Sequence, residues 1–160
     1  MAGEEIALED DLRLVVFRLA GEMYGVNVAS VESIGIMAPI TRVPRTPSYI
    51  SGIINLRGRV TPVVDLRRRL GLTEAAYTHD TRIVVVEHNF EQIGLLVDAV
   101  TEVRPASTGE IEPPSALITD VGTEYIAGVI KAENHLIIML DLAKVLRRED
   151  RDRLKRERVS

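Results

Sequence analysis

Apolar residues in this chain come in short, β-branched runs that break at Gly, Pro or Asn, a pattern of strands rather than long helices. Residues 13–19 and 22–28 are two such runs around Ala20-Gly21, predicting a hairpin. Val31 to Met37 predicts a third strand, with Val31 and Ser33 on one face and Glu32 and Ile34 on the other. Pro39, Pro44 and Pro47 then keep the chain extended or turning. A second hairpin is expected from 50–56 and 60–65 around Arg57-Gly58-Arg59, where Gly58 can supply a positive φ. Asp65 is placed to cap a single helical turn, Leu66 to Leu70, which Gly71 ends.

After a polar connector, 72–80, the programme repeats: strands near 82–88, 91–97 and 101–105, a linker with Pro113-Pro114, and a last hairpin through 125–131 and 135–140. Shifting residues 49–70 by 76 positions brings Tyr49, Ile50, Gly52, Ile54, Asp65, Leu66 and Leu70 onto Tyr125, Ile126, Gly128, Ile130, Asp141, Leu142 and Leu146. The earlier stretch matches at an offset of 69, where Leu14, Val15, Val16, Gly25 and Val31 meet Ile83, Val84, Val85, Gly94 and Val100. Two related units of about five short strands predict an all-β chain of two small barrels, with a seam that could seat a partner. Asp141 should cap a C-terminal helix in which Leu142, Val145 and Leu146 share a face. Beyond it, 147–158 is almost wholly charged and reads as a solvated helix end.

Composition narrows the function. Aromatic content is 4% with no Trp, so the core must be aliphatic; a net charge of −4 disfavours nucleic acid. With no Cys and three scattered His residues, neither a thiolate nor an i, i+4 His metal site is available, and no cofactor or metal is expected. The acidic residues 1–11 suggest a loose tail rather than a signal peptide, and no apolar run reaches membrane-spanning length. The expected location is the cytoplasm.

Candidate chemistry is thin. Phosphate-loop, nucleophile-elbow and zinc-protease motifs are missing, and Asp65 and Asp141 are explained by helix capping, so no enzyme is expected. A group of arginines in the first copy, Arg42, Arg45, Arg57 and Arg59, remains. The second copy carries Glu133 and His135 where the first has Arg57 and Arg59, a divergence confined to one turn. Arginine suits bidentate docking to carboxylates at an interface centre; the plainer explanation is a charged β-turn.

Gly52-Ile53-Ile54-Asn55-Leu56-Arg57-Gly58, followed by Val60-x-Pro62-Val63-Val64-Asp65-Leu66, resembles the signature of the CheW family of bacterial chemotaxis coupling proteins. Leu14-Val15-Val16-Phe17 with Tyr24-Gly25-Val26, and Thr123-Glu124-Tyr125-Ile126-Ala127-Gly128, are similar to that family's first and last hairpins. The resemblance covers 12–147 and implies two five-stranded SH3-like barrel subdomains around a shared core, with a C-terminal helix. These subdomains, intertwined or adjacent, would span roughly 12–75 and 80–142, flanked by the 1–11 tail and a charged helix and tail over 142–160.

By the same resemblance the chain would be a non-catalytic adaptor. It would couple the cytoplasmic tip of chemoreceptors to the regulatory domain of the histidine kinase CheA, at membrane-bound receptor arrays, with mixed rings with CheA as an assembly. No nucleic acid and no direct membrane insertion are implied. Receptor coupling would fall on Val31, Gly52, Arg57, Gly58 and Val103, with Arg57 as the polar anchor and Val31 and Val103 on facing walls of a groove. The family often reads V-x-E-I where this chain has Val31-Glu32-Ser33-Ile34, so strand alternation would turn the acid away from Arg57. The alternatives are a small nucleic-acid-binding β-barrel using the four arginines, and an esterase or isomerase with a cleft between the barrels.

Overall fold

A computed structural model describes residues 12–114 and 123–147. The acidic tail and the charged segment beyond Arg147 lie outside the described residues. The strands are β1 (Leu12–Leu19), β2 (Glu22–Asn27), β3 (Val31–Ile36), β4 (Ile50–Leu56), β5 (Arg59–Asp65), β6 (Arg82–His88), β7 (Glu91–Val97), β8 (Ala99–Ala106), β9 (Ile111–Glu112), β10 (Ile126–Lys131) and β11 (Leu136–Leu140). Two four-residue helices, α1 (Leu66–Arg69) and α2 (Leu142–Val145), follow β5 and β11. The architecture is the mainly β one expected, with a short helix at the C-terminal end of the described chain.

The first sheet runs β8-β1-β2-β11-β10-β9 and the second β3-β6-β7-β5-β4. Each sheet therefore takes its leading hairpin from one repeat and its remaining strands from the other. The spans 12–75 and 80–142 divide the chain by repeat, whereas the sheets divide it by exchange, so neither sheet is a contiguous stretch. The crossings are short. Three residues, Val28–Ser30, lead from β2 to β3, and Asp98 alone separates β7 from β8. Asp98 is held on both sides of that crossing: its N–H donates to Arg18 O at 3.0 Å, and its carboxylate accepts from Ala20 N at 2.8 Å.

Burial explains why the leading strands read as continuous apolar runs. In β1, Leu14 and Val16 pack with Ala106, Ile130 and Ile137 inside the first sheet, while Val15, Phe17 and Leu19 face a shared core. In β6, Ile83 and Val85 join Ile54, Val63 and Leu96 inside the second sheet, while Val84 and Val86 face that same shared core. Ala106 and Ile111, from the two edge strands of the first sheet, belong to one cluster, so the sheet curls closed on itself. Burying a Val or Leu on either face contributes about 1.5–3 kcal/mol.

Both helices are capped as their sequence predicts. Asp65 Oδ1 accepts from Arg67 N at 3.0 Å, and Asp141 Oδ1 from Lys144 N at 3.4 Å. The two caps are also anchored alike, through Asp65 N to Tyr49 O and Asp141 N to Tyr125 O, both at 2.8 Å.

Candidate functional site

Three hairpin tips are two-residue turns with both residues at positive φ: Ala20-Gly21, Arg57-Gly58 and Asn89-Phe90. This geometry matches the twist of the flanking strands. Leu56 pairs with Arg59, so the second hairpin is one residue tighter than expected and Arg57 itself is in the left-handed region, at φ 52°. Asn55 Oδ1 accepts from Gly58 N at 2.9 Å and braces the turn. Arg57 and Arg59 are exposed, and their guanidinium groups form no hydrogen bond or ion pair with any described residue, although their positive charge reaches Glu32. Arg57 is thus held at a strand tip with its guanidinium available.

The acid expected to turn away from Arg57 does not. A register shift between Val31 and Ser33 marks a β-bulge at Glu32, which resets the alternation. Glu32 Oε2 accepts from Gln92 Nε2 at 2.6 Å, and Gln92 Oε1 accepts from Thr61 Oγ1 at 3.1 Å, linking β3, β7 and β5. The Glu32 carboxyl is held below its ordinary value, chiefly by the Gln92 bond and then by a hydrogen bond with Glu87, with Arg59 and Arg57 adding their positive fields. Thr61 and Gln92 were not singled out in the sequence; a bulge cannot be read from a local pattern.

The other site residues separate into distinct settings. Val31 is half-buried against the shared core, at the same end of the second sheet as Glu32. Gly52 is buried with φ +149°, at a bulge in β4; an added Cβ there would run into Thr41 O and come within 2.8 Å of Ile40 Cγ2. Its place in the fold is a close crossing of backbones rather than a surface. Gly58 is exposed, at φ +82°. Val103 lies on edge strand β8 of the other sheet, opposite Val15 and 52% exposed. Arg42 lines a different depression, beside Tyr77 and Arg68.

Beside the Arg57 turn an open groove runs between β4 and residues 38–41, lined by Pro39, Ile53, Asn55, Gly58 and Val60 among others. Two smaller depressions flank the seam and are related by the repeat. One is lined by Tyr49, Ile50, Pro62, Val64, Ile93 and Leu146. The other is lined by the counterparts Tyr125, Ile126, Ile138, Leu140, Tyr24 and Leu70. Among the described residues no group of acidic and His side chains could hold a metal ion, and no helix is long and apolar enough to cross a membrane.

Two curled sheets exchanging hairpins around a common core, with a braced arginine turn on an exposed tip, define a β-type binding module. Residues 13–150 match the family model of the CheW-like domain, and the chain belongs to that family. It is 39% identical to the chemotaxis protein CheW of Bacillus subtilis over 140 residues, covering 86% of this chain and 88% of that one. It is 34% identical to CheW of Rhizobium meliloti, covering 87% and 90%. The crystal structure of the scaffolding protein TtCheW from Thermoanaerobacter tengcongensis superposes with a TM-score of 0.77 at 40% identity, covering 82% of this chain and 85% of that one. These matches do not favour the nucleic-acid-binding alternative.

Proposed function

We propose that this chain is a non-catalytic scaffold of bacterial chemotaxis that couples chemoreceptors to the histidine kinase CheA, acting at receptor arrays. Family membership supports the adaptor role. The observation that carries the site is the Arg57-Gly58 turn, which presents a guanidinium with no bond to any described residue beside an apolar groove. Arginine in that setting fits a carboxylate on the receptor's helical tip. Val31 and Gly58 shape the same end of the sheet, Val103 offers an apolar contact from the other subdomain, and Gly52 acts indirectly by letting β4 close on Thr41. CheA engages a separate surface, which permits mixed rings.

The test is Arg57→Ala, assayed with a soluble chemoreceptor cytoplasmic fragment and the CheA regulatory domain. Melting should be nearly unchanged and CheA binding retained, while receptor-fragment binding and receptor-dependent kinase activation fall about tenfold. Coupling equal to the parent's would refute the assignment of Arg57.

A further inference from the structure

Phe90 stands at the tip of the β6–β7 hairpin, 94% exposed, with a backbone φ of 64°. Both facts run against ordinary stability. A bulky aromatic is poorly suited to the left-handed region, and its ring gains nothing from burial there. The molecule contains its own control. At the 69-residue offset Phe90 falls on Gly21, at φ 86° in the β1–β2 turn, and the Arg57-Gly58 turn also places Gly at the second position. The fold accepts the favoured residue at two of these three tips and carries Phe at the third. A strained, solvent-exposed side chain that packing does not require points to a contact outside the chain.

Its surroundings say what kind. Strands β5 and β7 run parallel with Val63 beside Gly94, and the Thr61–Gln92 bond keeps that alignment to their first residues. Arg59 and Val60 therefore begin alongside Phe90 and Glu91. Val60 is 73% exposed, and the Arg57 and Arg59 guanidinium groups bond to no described residue. One end of the second sheet thus presents an aromatic knob and a valine next to two guanidinium groups, with the Glu32 carboxylate within their field and Glu91 beside Val60. The complementary surface is apolar and bordered by carboxylates. An aromatic ring supplies buried area while the arginines set orientation.

We propose that Phe90 is the apolar anchor of the receptor-docking end, seating against an apolar strip flanked by carboxylates on the receptor's helices. This inference rests on the coupling function proposed above. Phe90 extends the contact from the Arg57 turn across to the second hairpin tip of the same sheet, a residue outside the signature that carries the family resemblance.

The experiment uses the full chain as parent, Phe90→Gly, Phe90→Tyr and Arg57→Ala. Each is titrated against a soluble chemoreceptor cytoplasmic fragment, the isolated CheA regulatory domain and a single-stranded oligonucleotide. Phe90→Gly should melt at or above the parent, bind the receptor fragment about tenfold more weakly, and bind CheA unchanged. Phe90→Tyr should keep receptor affinity within about threefold of the parent, because the ring is retained. If Arg57→Ala weakens receptor binding and Phe90→Gly does not, the anchor is refuted while the coupling function stands. A loss confined to CheA or to the oligonucleotide also overturns it. A parent that binds no receptor fragment removes the coupling function and the anchor together.

Discussion

Arg69 donates its Nε to the carbonyl of Val145 over 2.7 Å, and Val145 is the residue that holds Arg69's own position in the second repeat, 76 places on. The guanidinium lies over Tyr49 at 4.7 Å and over Tyr125 at 4.8 Å, two tyrosines related by the same offset. Arg69 therefore sits where the two repeats meet. Such a point has room for one cation, which accounts for a buried Val at 145. Arg69→Leu should lower unfolding stability by about 2 kcal/mol through the lost ring contacts and hydrogen bond, and Arg69→Lys should recover only part of it. Val145→Arg should cost at least about 3 kcal/mol by burying a second like charge. Urea unfolding midpoints measure all three, and a parent-like midpoint for Val145→Arg would refute this account of the seam.

The Gly52 and Gly58 substitutions should behave differently although both lie in the coupling signature. Gly52→Ala meets backbone at Thr41 and should unfold the second sheet, at a cost above about 3 kcal/mol. Gly58→Ala has open space and only its φ of +82° against it, about 1–2 kcal/mol. Circular dichroism melts separate the two. A folded, parent-like Gly52→Ala would return that residue to the contact surface.

A buried charge cluster ties the connector to both sheets. Arg67 pairs with Asp65 at 3.3 Å and with Asp98 at 3.5 Å, and Tyr77 donates to Asp65 Oδ2 at 3.1 Å. Burial opposes the Arg67 charge, but the hydrogen bond and field of Asp65, then Asp98, more than offset it and raise its pKa. A raised basic pKa keeps this contribution constant below the ordinary arginine value, so it adds no pH dependence near neutrality. Asp65→Asn should cost about 3–5 kcal/mol, because Arg67 keeps its charge and loses its closest counter-ion. Thermal denaturation of the variant at pH 7 checks this; a loss under about 1 kcal/mol would contradict it.

Glu32 gives the acid side of stability a specific origin. Its pKa is lowered from 4.5, first by Gln92 and then by Glu87, Arg59 and Arg57. A lowered carboxyl stabilises the fold above its unfolded value, and that contribution is lost as pH falls through the folded value. Glu32→Gln should therefore lower melting slightly near neutrality, where the charged carboxyl contributes, and flatten the decline below pH 4.5. Melting curves from pH 6 to about pH 3 would show it, and an undiminished acid slope in the variant would exclude Glu32 as a contributor.

Parts of the site were legible before any coordinates. Arg57-Gly58 stands out because the second repeat keeps the hairpin yet replaces its turn by Glu133-Asn134. The Asn89-Phe90 turn had a signal too: strands ending at 88 and resuming at 91 leave two residues, a loop that requires positive φ at the first and, in its type I′ form, at both. The Glu32–Gln92–Thr61 link was hidden, since one extra residue in β3 inverts the face that strict alternation assigns. Gly52 was legible as a required glycine but not as a buried one, because what crosses it is a segment from outside the hairpin.

The amino-acid pattern by itself determines the strands, the helix caps and the duplication, since each depends on residues within a few positions of one another. Only the tertiary structure decides which hairpin joins which sheet. Both repeats carry the same alternation, so β1–β2 matches the strands of either copy equally well by local criteria. The choice is made by the short crossings at Val28–Ser30 and Asp98, which step the chain from one sheet to the other across the shared core. Those contacts join residues far apart in sequence, and no local periodicity encodes them.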